Sequence, residues 1–292
     1  MTRIIDLRSR PSFLHDFYGK TPGTKAYETA RWLNRRTGSR DDEHFARPTT
    51  IDAFVEEVRE AGIDQAVIVG RDTPALKHPN EEIHGLIQGR RELIGVGSVN
   101  PQLQSPKVLT QEIELAVRQL GLVGINIEPG FGDPPIKADH PVLYPVYEAC
   151  QHLGVPVFLM SGPTSPSLDY TDPAPIGHVA QAFPDLSIVV YHGAWPYVNE
   201  VLGVAFRYAN VFLVPDMYLF LPGGSLYVEA GNGFLRDQLM FATSYPFRAM
   251  KQTVDDFLAL PWKDEVLDGI LHGNAERVLK LGTPALTEPA HA

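Results

Sequence analysis

The chain has 292 residues, 44% hydrophobic and 21% charged, a composition that buries a large core. Its formal net charge is −10 and it has no block of roughly five Lys/Arg, which excludes a basic nucleic-acid-binding surface. It has no run of roughly 18 apolar residues, and the short apolar run after Arg3 is not a signal peptide, so no membrane span is expected and a cytoplasmic protein is.

In chain order, short β-branched runs alternate with helix-patterned stretches, the signature of βα units around a parallel sheet. Strands are predicted at Arg3–Arg8, Gln65–Arg71, Leu93–Asn100, Val123–Glu128, Val155–Met160, Ser187–His192, Asn210–Asp216 and Gln238–Thr243. Helices are predicted at Ile51–Gly62, Asn80–Arg90, Val108–Leu120, Val142–Leu153, Ile176–Phe183, Val198–Tyr208, Ala249–Leu258 and Lys263–Leu281. In the first of these, Ile51, Phe54, Val55 and Val58 share one face and Gly62 terminates it. In the last, Asn274 interrupts the pattern as the cap of a fresh helix. Eight strands each followed by a helix predict an α/β chain forming a single (β/α)₈ barrel over residues 1–282, with a doubly wound sheet as the alternative. Residues 283–292 read as a loose tail.

Roughly forty residues separate the first strand from the first regular helix, rich in Phe and Tyr, and such a long loop predicts a cap over the barrel mouth. The Gly-rich stretch 220–234 is expected at the same mouth. Cys150 falls in a helical segment and reads as a buried structural thiol.

In a barrel of this kind, chemistry sits at the carboxyl ends of the strands. Those ends carry Arg8 and Arg10, Arg71, Asn100, Glu128, Met160 with Ser161, His192, Asp216 with Tyr218, and Ser244 with Tyr245. Strand ends that served only packing would rarely be so polar.

Four segments carry a resemblance. They are Ile5-Asp6-Leu7-Arg8-Ser9-Arg10, the run from Phe183 to His192-Gly193-Ala194-Trp195-Pro196, Ala242-Thr243-Ser244-Tyr245-Pro246-Phe247, and His272-Gly273-Asn274-Ala275-Glu276-Arg277. In order and spacing they resemble the amidohydrolase-2 family of metal-dependent hydrolases and decarboxylases, over essentially the whole chain. The family opens with Ile-Asp-x-His-x-His and later carries Gly-Thr-Asp-Tyr-Pro. Here Arg8 and Arg10 replace both histidines, Met160 a third and Ser244 the aspartate, and only His192 remains. Arginine offers a metal no lone pair, Met is soft and Ser a poor ligand, so no metal is expected at the family's usual positions. The combination looks like a divergent branch with a degenerate metal site. Membership also implies a homo-oligomer as a reasonable expectation.

His192 is a candidate acid/base residue, which is the role the resemblance implies for it. The other histidines read as surface residues on loops and helices. Glu128 and Asp216 invite two readings. With His192 they form a substitute site for Zn²⁺ or Mn²⁺, or they pair with the arginines and hold the pocket in shape. Arg8 and Arg10, two apart on one strand, face the same way as a carboxylate clamp or as a structural network, and Arg71 adds a third anion contact. Ser161 lacks a nucleophile elbow. Trp195, Tyr218 and Tyr245 are walls for a planar ligand or ordinary core. The sequence therefore points to an enzyme binding a small anionic molecule, hydrolysing a carboxylated ring or lactone with His192, Asp216 or Glu128 as acid/base. Its alternatives are non-oxidative decarboxylation of an aromatic acid, and an inactive anion-binding barrel acting as sensor or scaffold.

Overall fold

The computed structural model describes residues 2–47 and 49–282. The predicted tail, 283–292, lies outside the described residues. Strands are β1 Ile5–Ser9, β2 Gln65–Val69, β3 Arg71–Thr73, β4 Leu76–His78, β5 Leu93–Ser98, β6 Ile125–Ile127, β7 Val157–Met160, β8 Ile188–Tyr191 and β9 Val211–Val214. Seven of them form one parallel sheet in the order β1-β2-β5-β6-β7-β8-β9. β3 and β4 form a separate antiparallel hairpin where the second predicted strand was expected to run on to Arg71.

The predicted eighth strand is present as a closing segment rather than a regular strand. Leu213 N–H donates to Gln238 O at 2.8 Å and Met240 N–H to Leu213 O at 3.0 Å, while across the gap Leu7 N–H reaches Phe241 O at 3.1 Å and Ser244 N–H reaches Arg8 O at 3.0 Å. These bonds join β9 to β1 and complete a TIM barrel. The segment leaves the ladder because Phe241 N–H turns to Ile270 O at 3.1 Å. That carbonyl lies in a π-turn, Gly269–Gly273, which splits the predicted last helix into Asp264–Asp268 and Asn274–Leu279. Asn274 is not the expected cap. It is buried, and its amide donates to Arg236 O and Leu239 O, both at 2.8 Å, fastening the helix to the closing segment.

Side chains divide by strand alternation. One set, including Ile5, Leu7, Val67, Val69, Val96, Phe158 and Tyr191, packs as a core within the barrel, and a larger set packs between sheet and helices. β1 breaks the alternation, with its register against β2 shifting between Asp6 and Ser9. Leu7 belongs to the barrel-core cluster and Arg8 lies over the Tyr191 ring of that same cluster, so consecutive side chains both face the interior. Re-aiming a side chain is what a bulge does. The displaced Leu7 carbonyl accepts from the Tyr191 hydroxyl at 2.8 Å, so the bulge leaves no buried acceptor unpaired.

The first long connection is not a bare loop. It contains the helix Lys25–Arg36, whose Thr24 cap accepts from Tyr27 N–H, and short turns at Ser12–Leu14, Asp16–Tyr18 and Glu43–Ala46. Its Tyr18 and Phe45 pack with Leu76, Met217, Tyr218 and Phe247 in a third apolar cluster, joining this cap to the hairpin and to the segments after β9 and the closing segment. The Gly-rich stretch likewise holds a short helix, Ser225–Gly231.

Candidate active site

The strand ends bring Arg8, Arg10, Arg71, Glu128, His192 and Asp216 into one buried network, each no more than 5% exposed. Glu128, just after β6, is its first hub. Arg10 Nη2 donates to one carboxylate oxygen at 2.8 Å, Arg71 Nε lies 2.9 Å from the other, and Asn126 supplies a further bond at 3.2 Å. Burial alone would raise this carboxyl, but Arg71, Arg10 and Arg8 outweigh it and hold it down at about 2. Arg10 also donates to the Val69 and Gly70 carbonyls, at 2.9 and 3.1 Å. Arg71 is sandwiched between the Phe17 and Phe131 rings, at 5.2 and 5.1 Å.

The second hub is a His–Asp pair. His192 Nδ1 lies 2.9 and 2.8 Å from the two oxygens of Asp216, and the His192 backbone N–H donates to the same carboxylate at 3.3 Å. A carboxylate only accepts, so Nδ1 carries the proton and the lone pair is on Nε2. Burial lowers the proton affinity of the imidazole, Asp216 works against that, and Arg8 adds to it. Tyr218 meets the His192 ring edge-on at 4.9 Å and stacks on Trp195 at 5.4 Å.

Arg8 stands between the hubs. Its guanidinium lies 3.3 Å from Ser244 Oγ, 3.2 Å from Met160 Sδ and 3.7 Å from Asp216, and packs 4.7 Å above the Tyr191 ring. Nη1 is buried with no hydrogen-bond partner. His192, Asp216 and Ser244 all adopt left-handed backbone angles, with φ of 64°, 42° and 61°. Strain of this kind in non-glycine residues persists where the surroundings over-determine it, and here it gathers around one guanidinium.

The structure brings Arg8, Arg10, Arg71, Glu128, His192 and Asp216 together in the arginine–carboxylate arrangement, with the Trp195–Tyr218 stack beside His192. Glu128 is held by two arginines, apart from the His192–Asp216 pair, and among the described residues no group of three or more His, Cys, Asp or Glu is placed to hold a metal ion. Ser161 Oγ donates to Thr171 O at 3.2 Å and takes no part. Cys150 is buried as expected, its thiol pushed up by burial. Tyr245 points away from the site, with its hydroxyl on Glu57 at 3.1 Å.

Two histidines read as surface residues are buried. His44 and His78 are 4% and 2% exposed. His78 stacks on Tyr18 at 5.7 Å, and burial together with Arg10, His15 and Arg71 lowers its proton affinity to about 4. Phe131 and Asn126 were also missed, while Phe17 and Tyr18 were expected only as part of the aromatic cap. The Leu76-Lys77-His78 alternation was the available signal for His78, and the aromatic density of the cap the signal for Tyr18. A cavity of about 360 Å³ lies elsewhere, between the cap and the helices Ile51–Glu60 and Met250–Leu258. Lys251 and Arg40 on its wall are paired to Asp255 and Asp256.

Residues 36–281 match the amidohydrolase family model. The chain belongs to the amidohydrolase family. The chain superimposes on an uncharacterized TIM-barrel protein from Bordetella bronchiseptica with a TM-score of 0.86 at 34% identity, covering 95% of this chain and 98% of that one. A 2,6-dihydroxybenzoate decarboxylase from Rhizobium gives a TM-score of 0.71 at 16% identity, covering 96% and 99%. A dihydroxybenzoic acid decarboxylase from Polaromonas sp. JS666, with bound manganese and the inhibitor 2-nitroresorcinol, gives 0.65 at 18% identity, covering 96% and 98%. No curated protein matches in sequence. Among the described residues no helix is long and apolar enough to cross a membrane.

The residues here do not fit a divalent ion such as the manganese of the Polaromonas structure. The Arg8 guanidinium lies among Met160, Ser244 and Asp216, offers no lone pair and repels a cation.

Proposed function

We propose that this protein is a metal-independent acid–base enzyme acting on a small aromatic carboxylate, and that it releases the carboxyl group as CO₂. One observation carries the reading: three buried guanidiniums share two buried carboxylates, one of which is already engaged by His192, and Arg8 keeps a buried N–H without a partner. A buried excess cation is costly unless an anion compensates it, and a monocarboxylate on Arg8 does so with charge-assisted bonds. The decarboxylase neighbours support the choice of an aromatic acid. The Trp195–Tyr218 stack beside His192 offers a planar wall for its ring.

The chemistry follows from the charges. In the free protein His192 is neutral, because burial and Arg8 disfavour the imidazolium. A bound carboxylate neutralises Arg8 and adds a negative charge nearby, so His192 takes up a proton that Asp216 stabilises from behind. The ring–carboxyl bond then breaks, its electron pair stays on the ring carbon, and that carbon takes the proton from Nε2. CO₂ departs and His192 is reprotonated from solvent in the next cycle.

A second reading rests on the same lowered imidazole. Neutral His192 is also a general base for water attack on a lactone, with Arg8 as oxyanion donor. Incubation in D₂O with benzoates labelled with ¹³C at the carboxyl, and with carboxylated lactones, separates the two. Labelled CO₂ with deuterium on the ring, lost in Arg8→Ala and His192→Ala, is the expected result. Ring-opened product carrying solvent oxygen would replace the lyase reading by hydrolysis, and tight binding without turnover of either class would overturn both.

A further inference from the structure

We infer that Tyr18 and His78 form a second recognition subsite, reading a neutral hydroxyl on the ring of the bound acid. The inference rests on the proposed aromatic carboxylate and adds the residues that select its substituent.

Tyr18 comes from the cap and is fully buried, yet its hydroxyl has no hydrogen-bond partner. Burying a hydroxyl unpaired is costly, while a phenylalanine would fill the same apolar cluster at no such cost. Tyr18 also lies beside the arginine–carboxylate network. Its ring lies 5.8 Å from the Arg10 guanidinium and packs in one cluster with Met217 and Tyr218, and Tyr218 abuts His192.

His78 supplies the complementary group. It is 2% exposed, and its Nδ1 lies 3.3 Å from the Glu82 carboxylate, which places the proton on Nδ1 and the lone pair on Nε2. Nε2 is buried without a partner, on a ring stacked against Tyr18. Among the described residues, the unsatisfied buried groups around the mouth include a charged donor on Arg8, a neutral donor on Tyr18 and a neutral acceptor on His78. A hydroxyl both accepts and donates, so it satisfies the last two together, whereas a second carboxylate would face the His78 lone pair and repel it.

The test compares binding of benzoate with 2-, 3- and 4-hydroxybenzoate by titration calorimetry, for the wild type, Tyr18→Phe and His78→Gln. At least one hydroxybenzoate is expected to bind about tenfold more tightly than benzoate, and Tyr18→Phe to erase that preference while leaving benzoate affinity unchanged. His78→Gln keeps an acceptor carbonyl and is expected to retain part of the preference. Benzoate binding that depends on Arg8 but shows no hydroxyl preference would overturn the subsite and leave the proposed function standing. A preference that survives Tyr18→Phe would overturn the role of Tyr18. Failure of every benzoate to bind would remove the aromatic carboxylate, and the subsite with it.

Discussion

At the residue scale the site turns on where protons sit. Asp216 fixes the His192 tautomer by occupying Nδ1, so Asp216→Asn, which can present an N–H to the ring instead, should turn the lone pair away from the substrate. Turnover is expected to fall about 10²–10⁴-fold with little change in KM, and a matching loss in KM alone would mean that Asp216 serves binding rather than proton transfer. The pH profile follows from the charges as well. In the free protein His192 titrates below its ordinary range, and a bound anion moves it upward. The proposed decarboxylation uses the acid form, so kcat should persist to higher pH than kcat/KM. Coincident profiles would show that substrate binding leaves His192 unperturbed. Arg8 argues for a third outcome: activity unchanged by a chelator, in protein whose elemental analysis shows no stoichiometric metal.

At the element scale, alternation and capping made most strands and helices legible. Ile51–Glu60 begins where Thr50 accepts from Ala53 N–H and is followed by Gly62 at φ 77°. Departures from the expected pattern occur where side chains overrule local preference. The bulge in β1 depends on Tyr191, far along the chain, bonding the Leu7 carbonyl, and a single strand's pattern contains no trace of that partner. The last helix breaks because Ile270 gives its carbonyl to Phe241 and Asn274 gives its amide to Arg236 and Leu239. Asn274 looked like a cap because Asn often is one. Its two bonds are expected to make Asn274→Ala cost about 1–3 kcal/mol in urea denaturation, since it strands two carbonyls that Asn274 serves. A cost near zero would show that water reaches them. The candidate site was legible for a similar reason, because polar residues at strand ends have few structural uses. Its pairing was not, since distance along the chain does not say which arginine meets which carboxylate. His78 was missed because it was read as a surface residue although the short strand Leu76–His78 turns it inward, and Tyr18 because nothing in the sequence sets it apart from the other aromatics of the cap.

At the scale of the whole molecule the arginine–glutamate hub links barrel to cap. Glu128 holds Arg10, which continues β1, and Arg71, which opens the hairpin and carries the Phe17 ring of the cap on its guanidinium. The protonation state of one carboxyl therefore bears on global stability. Its folded value of about 2 lies below the ordinary 4.5, so its contribution is present above 4.5 and is lost as pH falls toward 2. Asp6 has the opposite sign. Burial raises it from 3.8 to about 7, so its contribution is present at low pH and fades as pH rises through that span. Below about 3.8 the two no longer oppose each other, and of the pair only Glu128 still responds to pH. Glu128→Gln leaves two buried guanidiniums without their anion and should destabilise the protein by about 3–5 kcal/mol at pH 7. Urea midpoints measured from pH 7 to pH 2 should converge for wild type and variant as the wild-type carboxyl takes up its proton. Curves that stay parallel down to pH 2 would show that Glu128 is not the group through which acid loosens the barrel and its cap.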